Sequence, residues 1–316
     1  MNAKKIKYFV IPVIILLLIL YIQSVQNNRE QDEELISPLE SPLGYGLVLY
    51  DDENQKINKY EIELLDNNDF SNKLKFINNA KSSDFSLMIF VDYKQIPFYV
   101  GNDGKLYDSY EFKLEKGDDK DIPIRFSTKQ LTYREHSLLF YIVAGSKTHA
   151  SDLGESSSFF GIPLMYNLIL SDQSTVKDVT DSADVELFES SSSFFVVNQN
   201  FSDKTTPSIP PLEITSKPGE ETKLAVRVSN ISNTGNYLFW LSVDWQQYNL
   251  TNSLPFLFFN IPPNRGAYKE IMIKAPTQPG KYEIVGFLVS NPWSKVGASL
   301  DPITVDTSYR FTLTVG

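Results

Sequence analysis

Two stretches of the sequence decide the fold: KLKFINNAKSSDFSLMIFVDYKQ, from Lys73 to Gln95, and KLAVRVSNISNTGNYLFWLSVDWQQ, from Lys223 to Gln247. Each opens on Lys-Leu in an alternating run, passes through an Asn-rich turn and continues as an aromatic and aliphatic run. Each closes on Val-Asp-aromatic-x-Gln. Because apolar and polar residues alternate with a period of two, each stretch predicts two β-strands joined by a turn. The shared order indicates one unit that is present twice.

The match continues on both sides of these stretches, in the same order along the chain. The spacing between partners drifts between roughly 146 and 152 residues, which small insertions in surface loops would produce. The further matched segments are Tyr45 onwards (YGLVLYDDENQ) with Phe194 onwards (FFVVNQNFSDK), Glu61-Ile62 with Glu213-Ile214, Ile122 and Ile124 with Ile271 and Ile273, and His136 onwards (HSLLFYIV) with Tyr282 onwards (YEIVGFLV).

The pattern within each unit is typical of a sandwich of two antiparallel sheets. Polar turns that carry Pro or Gly separate the short alternating runs, as in KPGE from Lys217, PPNRG from Pro262 and QPGK from Gln278. About seven short strands in roughly 120 residues is the immunoglobulin-like pattern. We therefore predict an all-β chain with two tandem immunoglobulin-like antiparallel β-sandwich domains behind an N-terminal transmembrane helix.

The second unit resembles the cell-surface Ig-like adhesion-type repeats of bacteria and archaea. The resemblance rests on the KPGEE turn before one strand and on QPGKYEIVGFLV, in which a Pro-Gly-Lys-Tyr turn opens a later strand. In the first unit, Arg134-Glu135-His136 stands where Pro279–Tyr282 stands in the second. The resemblance implies architecture more than activity, since a fold alone does not define an activity.

The N-terminus carries an apolar run, YFVIPVIILLLILYI, from Tyr8 to Ile22, behind Lys4, Lys5 and Lys7. As a helix, the run with its interfacial flank would cover roughly 22–27 Å, near the lower limit for a bilayer span. A cleaved signal peptide is the alternative, but no small-x-small cleavage site follows the run. We therefore favour an uncleaved signal anchor, with the lysines in the cytoplasm and the rest of the chain outside.

The predicted organisation along the chain is an anchor, a stalk and two sandwiches. The segments are residues 1–25 as cytoplasmic tip and transmembrane signal anchor, 26–43 as polar stalk, 44–171 as the first sandwich, 172–193 as an acidic Ser-rich linker and 194–316 as the second sandwich.

Composition excludes several classes of function. The chain has no Cys, two His and a net charge of -10. Without the three N-terminal lysines, 26 basic residues face 39 acidic ones, so the exported part carries -13. Thiolate chemistry, disulfides and Cys-based metal sites are excluded, and an acidic body does not fit a nucleic-acid partner. We predict no cofactor.

No catalytic or metal-binding constellation stands out. His136 begins an apolar strand and His149 lies in a polar loop, and neither has a counterpart in the other unit. Three acidic clusters could offer oxygen ligands to calcium, but none has the spacing of an EF-hand loop, so we interpret them as solvated turns. They are Asp51-Asp52-Glu53, Asp118-Asp119-Asp121 and GNDGKLYD from Gly101. We predict that the protein is not an enzyme and holds no metal.

The candidate ligand platform consists of Trp240, Tyr248 and Trp293, which fall on the outward face of a strand or in loops. Exposed aromatic rings could stack on sugars, although aromatic residues in sandwiches commonly pack in the interior. We predict a non-enzymatic interaction or spacer module of the cell envelope, held by its membrane helix, with an envelope protein or glycan as partner. The alternative is an envelope carbohydrate-binding module that uses these aromatic residues.

Overall fold

The computed structural model describes residues 44–64, 69–149, 161–170, 183–199, 201, 204–205, 211–230, 235–250, 255–297 and 302–316. The predicted anchor, the predicted stalk, residue 171 of the predicted first sandwich and residues 172–182 of the predicted linker lie outside this part of the chain. Within it, no helix has the length and apolar character needed to cross a membrane. The described residues form strands and no helix, so the all-β prediction is confirmed.

The first half of the described chain forms two facing sheets. Outer sheet 1 has the order β1-β3-β9-β6-β7, and inner sheet 1 has the order β2-β11-β10-β4-β5, with β8 also paired to β4. The strands are β1 Tyr45–Tyr50, β2 Glu61–Leu64, β3 Phe70–Asn78, β4 Ser83–Val91, β5 Lys94–Gln95, β6 Phe98–Val100, β7 Leu106–Tyr107, β8 Ser109–Leu114, β9 Asp119–Phe126, β10 Glu135–Ala144 and β11 Gly161–Leu170.

The second half repeats this arrangement. Inner sheet 2 has the order β14-β22-β20-β16-β17, with β18 on β16 and β21 on β20, and outer sheet 2 has the order β12-β19-β15-β13. The strands are β12 Glu186–Glu189, β13 Phe194–Asn198, β14 Glu213–Ser216, β15 Glu221–Asn230, β16 Gly235–Val243, β17 Gln246–Tyr248, β18 Phe256–Ile261, β19 Arg265–Lys274, β20 Gly280–Ser290, β21 Thr304–Thr307 and β22 Phe311–Val315.

The strand orders are those of an immunoglobulin-like sandwich. In each half, three successive antiparallel strands of the outer sheet face an inner sheet in which a short strand, β2 or β14, runs parallel to the last long strand. Outer sheet 1 corresponds to strands A-B-E-D of the immunoglobulin fold, and inner sheet 1 to the sheet that contains G-F-C. Strand β12 joins outer sheet 2 and lies within the stretch predicted as a linker.

Strand pairing places most of the matched segments of the two units at equivalent positions. Leu74 of β3 pairs with Ile122 of β9, and Leu224 of β15 pairs with Ile271 of β19. The match of the first strands is wrong by one residue. Tyr45 pairs with Asn78, and the equivalent position of β15, Val228, pairs with Phe195 instead of Phe194. A shift of one residue turns every side chain of a strand to the opposite face of the sheet. The register of this match is therefore taken from the strand pairing and not from the weak sequence identity.

Each sandwich has its own apolar core, and a third apolar layer lies between them. In β4, the side chains of Phe85, Leu87 and Ile89 are fully buried in the first core, while those of Met88 and Phe90 are fully buried on the opposite face. We call the third cluster the inter-sandwich layer. It consists of Met88, Phe90, Tyr93, Leu139, Tyr141 and Val143 from inner sheet 1 with Leu238, Trp240, Trp245, Phe256, Val285, Phe287 and Val289 from inner sheet 2.

One strand of the second half carries an extra residue. In β10, Tyr141 pairs with Pro163 and Leu138 pairs with Tyr166. In β20, the equivalent residues Phe287 and Ile284 pair with Thr307 and Phe311. Two residues lie between Pro163 and Tyr166, whereas three lie between Thr307 and Phe311. Residues 308–310 therefore form a bulge between β21 and β22. There, the Gly286 amide donates to the Ser308 hydroxyl (2.9 Å), and Arg310 is buried.

Candidate functional site

The structure places Trp240 within the inter-sandwich layer, Trp293 against that layer and Tyr248 against the second core. Trp240 is fully buried in the inter-sandwich layer, where its ring stacks on Phe287 at 4.9 Å with an interplanar angle of 2° and lies 5.1 Å from Phe90. The prediction of an exposed Trp240 is therefore wrong. The outward face of its sheet is covered by the first sandwich, so the ring has no face available to a sugar.

The other two members of the predicted platform make structural contacts in different places. The Tyr248 hydroxyl accepts a hydrogen bond from the Lys274 amide (2.7 Å), and the half-buried ring packs against the second core. Trp293 is also half-buried and meets the ring of Tyr93 edge-on, with centroids 5.9 Å apart. Each of these rings joins two parts of the fold.

The repeated Val-Asp-aromatic-x-Gln motif forms two equivalent hairpin turns. Asp92 and Tyr93 have φ angles of 50° and 62°, and Asp244 and Trp245 have φ angles of 50° and 65°. Two successive residues of positive φ define the two-residue turn that matches the twist of a β-hairpin, which commonly uses Asn-Gly. An aromatic residue in this conformation is unfavourable by itself. Both aromatic side chains are buried in the inter-sandwich layer, and this packing stabilises the turns.

The glutamines of the motif bind each other reciprocally across the two halves. The Gln95 amide donates to Oε1 of Gln247 (2.8 Å), and the Gln247 amide donates to Oε1 of Gln95 (2.5 Å). Nε2 of Gln95 donates to the carbonyl of Trp245 (3.0 Å), and Nε2 of Gln247 donates to the carbonyl of Tyr93 (2.7 Å). Equivalent groups thus exchange places, which is the contact pattern of a two-fold symmetric interface.

The aromatic residues of the motif repeat this reciprocity. The Tyr93 hydroxyl donates to the carbonyl of Pro292 in the second half (2.6 Å), and Nε1 of Trp245 donates to the carbonyl of Ser146 in the first (3.0 Å). Pro292 and Ser146 follow equivalent strands, β20 and β10, at equivalent distances. Burial raises the pKa of the Tyr93 hydroxyl, which therefore stays a neutral donor.

A buried ionic cluster lies on one side of the layer only. Nε of Arg310 lies 2.8 Å from Oε2 of Glu283, and both side chains are almost completely buried. Arg310 also donates to the carbonyls of Gly145 (3.0 Å) and Thr148 in the first half, and its guanidinium lies over the Trp245 ring. Oε1 of Glu283 accepts from Thr312 (2.7 Å) and lies 2.5 Å from Nδ1 of His149.

Sequence reasoning missed this cluster. Alternation in SYRFTLTV places Arg310 and Thr312 on the face away from the second core, but it does not show what covers that face. In the structure the first sandwich covers it. The available signal was the arginine within an otherwise apolar and hydroxyl-bearing strand, since a buried arginine needs several acceptors.

His136 holds a turn of the first half. Its Nδ1 lies 2.6 Å from Oδ2 of Asp92, its Nε2 lies 2.9 Å from the carbonyl of Tyr133, and it is buried. Oδ1 of Asp92 accepts from the Ser137 amide (3.1 Å). Both ring nitrogens therefore already have acceptors within hydrogen-bond distance, next to the Asp92-Tyr93 turn.

The acidic clusters singled out in the sequence make local contacts. Oδ1 of Asp51 accepts from the amides of Glu53 (3.0 Å) and Gln55 (2.7 Å), which caps a turn. Oδ2 of Asp103 accepts from the Tyr107 hydroxyl (2.7 Å). Across the described ranges, no group of three or more acidic or histidine side chains is arranged to hold a metal ion.

Both outer sheets carry lysine–carboxylate ion pairs between neighbouring strands, and on outer sheet 2 Lys223 of β15 pairs with Glu270 of β19. On outer sheet 1, Lys75 and Lys73 form ion pairs with Asp119 (2.6 Å) and Asp121 (3.2 Å) of the neighbouring strand. These pairs are partly exposed and contribute little to stability.

Outer sheet 2 also carries an aromatic and cationic cluster, which is partly buried. The Tyr268 ring lies 5.3 Å from the Arg227 guanidinium and 5.0 Å from Nζ of Lys204, distances typical of cation–π contacts. Burial and the hydrogen bond to Glu270 raise the pKa of Tyr268 to about 12. Arg227, fully buried, donates to Asn198 at 2.7 Å.

Comparison with known proteins gives structural matches only. No family model matches the chain, and no curated protein does. The C-terminal domain of the Streptococcus pyogenes antigen I/II-family protein AspA is 9% identical with a TM-score of 0.25, over 87% of this chain and 100% of that one.

Two further solved structures are similar at the same level. The C-terminal domain of the Streptococcus agalactiae AgI/II polypeptide BspA is 8% identical with a TM-score of 0.24, over 85% of this chain and 99% of that one. The periplasmic chaperone SfaE is 12% identical with a TM-score of 0.24, over 86% and 100%. Matches of this strength transfer no function to the chain.

Proposed function

We propose that the protein is a membrane-anchored, extracytoplasmic interaction or spacer module of the cell envelope, whose working part is a single body built from two Ig-like sandwiches. The inter-sandwich layer carries this proposal. It joins the two sandwiches through buried aromatic residues and through hydrogen bonds from both hairpin turns. A large apolar interface between domains restricts their relative motion, and a spacer requires such a body.

A non-enzymatic role is supported by the engagement of the side chains best suited to acid–base chemistry. His136 is held between Asp92 and the Tyr133 carbonyl, and His149 contacts the buried Glu283. Glu283 itself bridges Arg310 and Thr312. These groups connect strands and loops of the fold.

An extracytoplasmic location is supported by the sequence. The apolar run from Tyr8 to Ile22 follows three lysines, which favours a cytoplasmic N-terminus and export of the chain that follows. We propose an envelope protein as the partner. The carbohydrate-binding alternative loses its main support, because Trp240 is buried.

The location is tested by placing a specific protease site in the stalk, between residues 30 and 36, and an epitope tag after Gly316. We expect protease added to intact spheroplasts to release the tagged body from the membrane fraction. A tagged body that is protected until lysis would show a cytoplasmic location. Tagged body that is already soluble before protease is added would show a cleaved signal peptide and no anchor.

A further inference from the structure

We infer that the inter-sandwich layer is a permanent interface, which holds the two halves of the protein together without the covalent connection at residues 171–182. The connection would then be needed for assembly but not for holding the body together. This inference concerns how the body is held and is independent of where the protein resides.

The first step is the apolar character of the face that each half contributes. Phe90 and Tyr141 of the first half and Trp240 and Phe287 of the second are at most 2% exposed. The Phe287 ring meets Tyr141 edge-on at 5.0 Å and Trp240 face-on at 4.9 Å. Separation would expose this set of aromatic rings together, and such a patch is unfavourable in water.

The second step is the polar matching. The Tyr93 hydroxyl and Nε1 of Trp245 both donate to carbonyl acceptors in the opposite half, so these two hydrogen bonds form only in the joined state. Gln95 and Gln247 give and receive hydrogen bonds across the boundary at four places. Because these bonds are reciprocal, the two halves meet in one register.

The third step is the buried charge. Arg310 is paired with Glu283 of its own half, but its remaining donors reach the carbonyls of Gly145 and Thr148 in the other half. A buried guanidinium that loses acceptors is costly. Release of the loop that follows β10 would therefore be opposed by this side chain.

The final step is the likeness to a dimer. Equivalent residues of the two units contact each other in exchanged roles, as subunits do across a two-fold axis. Dimers with such apolar interfaces persist without any covalent link. The connection between the halves of this chain is therefore expected to be dispensable once the body has folded.

The experiment uses the full chain in detergent, with a specific protease site between Val176 and Lys177, one tag at the N-terminus and a second tag at the C-terminus. After cleavage, which a denaturing gel verifies, the C-terminal tag is used to purify the second half. We expect the first half to be recovered with it in equal amount, from one peak in size-exclusion chromatography. Recovery of the second half alone would overturn the inference.

The role of the reciprocal glutamines is tested on the same cleaved protein in a urea series. Gln247→Ala removes the hydrogen bonds to the Gln95 amide and the Tyr93 carbonyl, so the halves should separate at a lower urea concentration. Gln246→Ala is the matched control, because this neighbouring side chain is exposed. Equal midpoints for the two variants would contradict the assigned role of Gln247.

Discussion

At the scale of single residues, the second half concentrates its aromatic packing on Trp240. The ring contacts Phe287 of its own sheet and Phe90 and Tyr93 of the other half. Its Nε1 is buried without a hydrogen-bond partner in the described structure. Packing therefore holds this side chain in place, although its buried N–H group loses the hydrogen bond that it would make to water in the unfolded chain.

Substitution of Trp240 should destabilise the protein strongly. Trp240→Ala removes a fully buried ring from the layer, so we expect the free energy of unfolding to fall by about 3–5 kcal/mol. Urea denaturation measures this. The control Met272→Ala changes a side chain that is 46% exposed and should stay within about 0.5 kcal/mol. A similar small effect of Trp240→Ala would show that the ring is not packed.

Asp244 provides a test of pH dependence. Burial, followed by the nearby carboxylates of Glu111 and Glu283, raises the pKa of Asp244 above its ordinary value of 3.8. The folded state therefore binds this proton more tightly than the unfolded state, and stability falls as pH rises from about 3.8 through the folded pKa. The urea midpoint of Asp244→Asn should therefore fall less between pH 3.5 and pH 7 than the urea midpoint of the unaltered protein.

Asp103 serves as the control of opposite sign. Hydrogen bonds from the Tyr107 hydroxyl and the Lys105 amide lower the pKa of Asp103, so its ionised form favours the folded state. The stabilisation is present above the unfolded pKa and is lost as pH falls through the folded pKa. Asp103→Asn should therefore remove stability at neutral pH, and the same pH profile for both variants would contradict the assignment.

At the scale of elements, the inner strands have both faces buried. In β20, Ile284 and Leu288 face the second core, while Val285, Phe287 and Val289 face the inter-sandwich layer. Gly286 lies on the core side, where a Cβ atom would stand 2.6 Å from Val197 and 3.0 Å from Phe239. Absence of a side chain at this position lets outer sheet 2 approach the strand.

Gly286 should accordingly not tolerate a methyl group. We expect Gly286→Ala to lower the free energy of unfolding by about 1–3 kcal/mol, because neighbouring core side chains must shift to accept it. Thermal denaturation followed by circular dichroism measures the effect. Gly316→Ala, where nothing lies within 4 Å of the added atom, is the neutral control. An unchanged melting temperature for Gly286→Ala would show that β20 and β13 are not packed as described.

The same strands show what the sequence could predict and what it could not. The period of two in the outer strands and the turns that carry Pro and Gly predict the all-β fold, which the structure confirms. The inner strands read as nearly continuous apolar runs, such as LLFYIVA from Leu138 and IVGFLV from Ile284. Such runs indicate burial on both faces. Applied to Trp240, that criterion would have predicted the covered ring.

Other contacts could not be derived from the sequence. The bulge at residues 308–310 depends on pairing that the alternation of SYRFTLTV does not reveal. Likewise, the Gln95–Gln247 pair joins residues far apart in the chain, and only the packing of the two inner sheets brings them together. Repetition of the motif marked these glutamines, but it did not show that they bind each other.

At the scale of the whole molecule, residues 43–316 form one unit. We expect this unit to unfold in one transition, because loss of either half exposes the layer on the other. The three Trp are in the second half, and Trp240 and Trp245 lie in the inter-sandwich layer, so Trp fluorescence reports on that half and on the layer, while circular dichroism reports on both halves. Coincident urea curves would agree with joint unfolding, and curves with separate midpoints would show that the halves unfold independently.

The reciprocal use of the inner faces determines which surfaces of the body stay accessible. Duplication ordinarily doubles the number of identical binding surfaces, but here the duplicated faces occupy each other. The outer sheets remain, and each carries a lysine–carboxylate pair between equivalent strands, Lys75–Asp119 on one and Lys223–Glu270 on the other. Contacts with other molecules are therefore left to the outer sheets and the loops, because the duplicated inner faces are already used within the body.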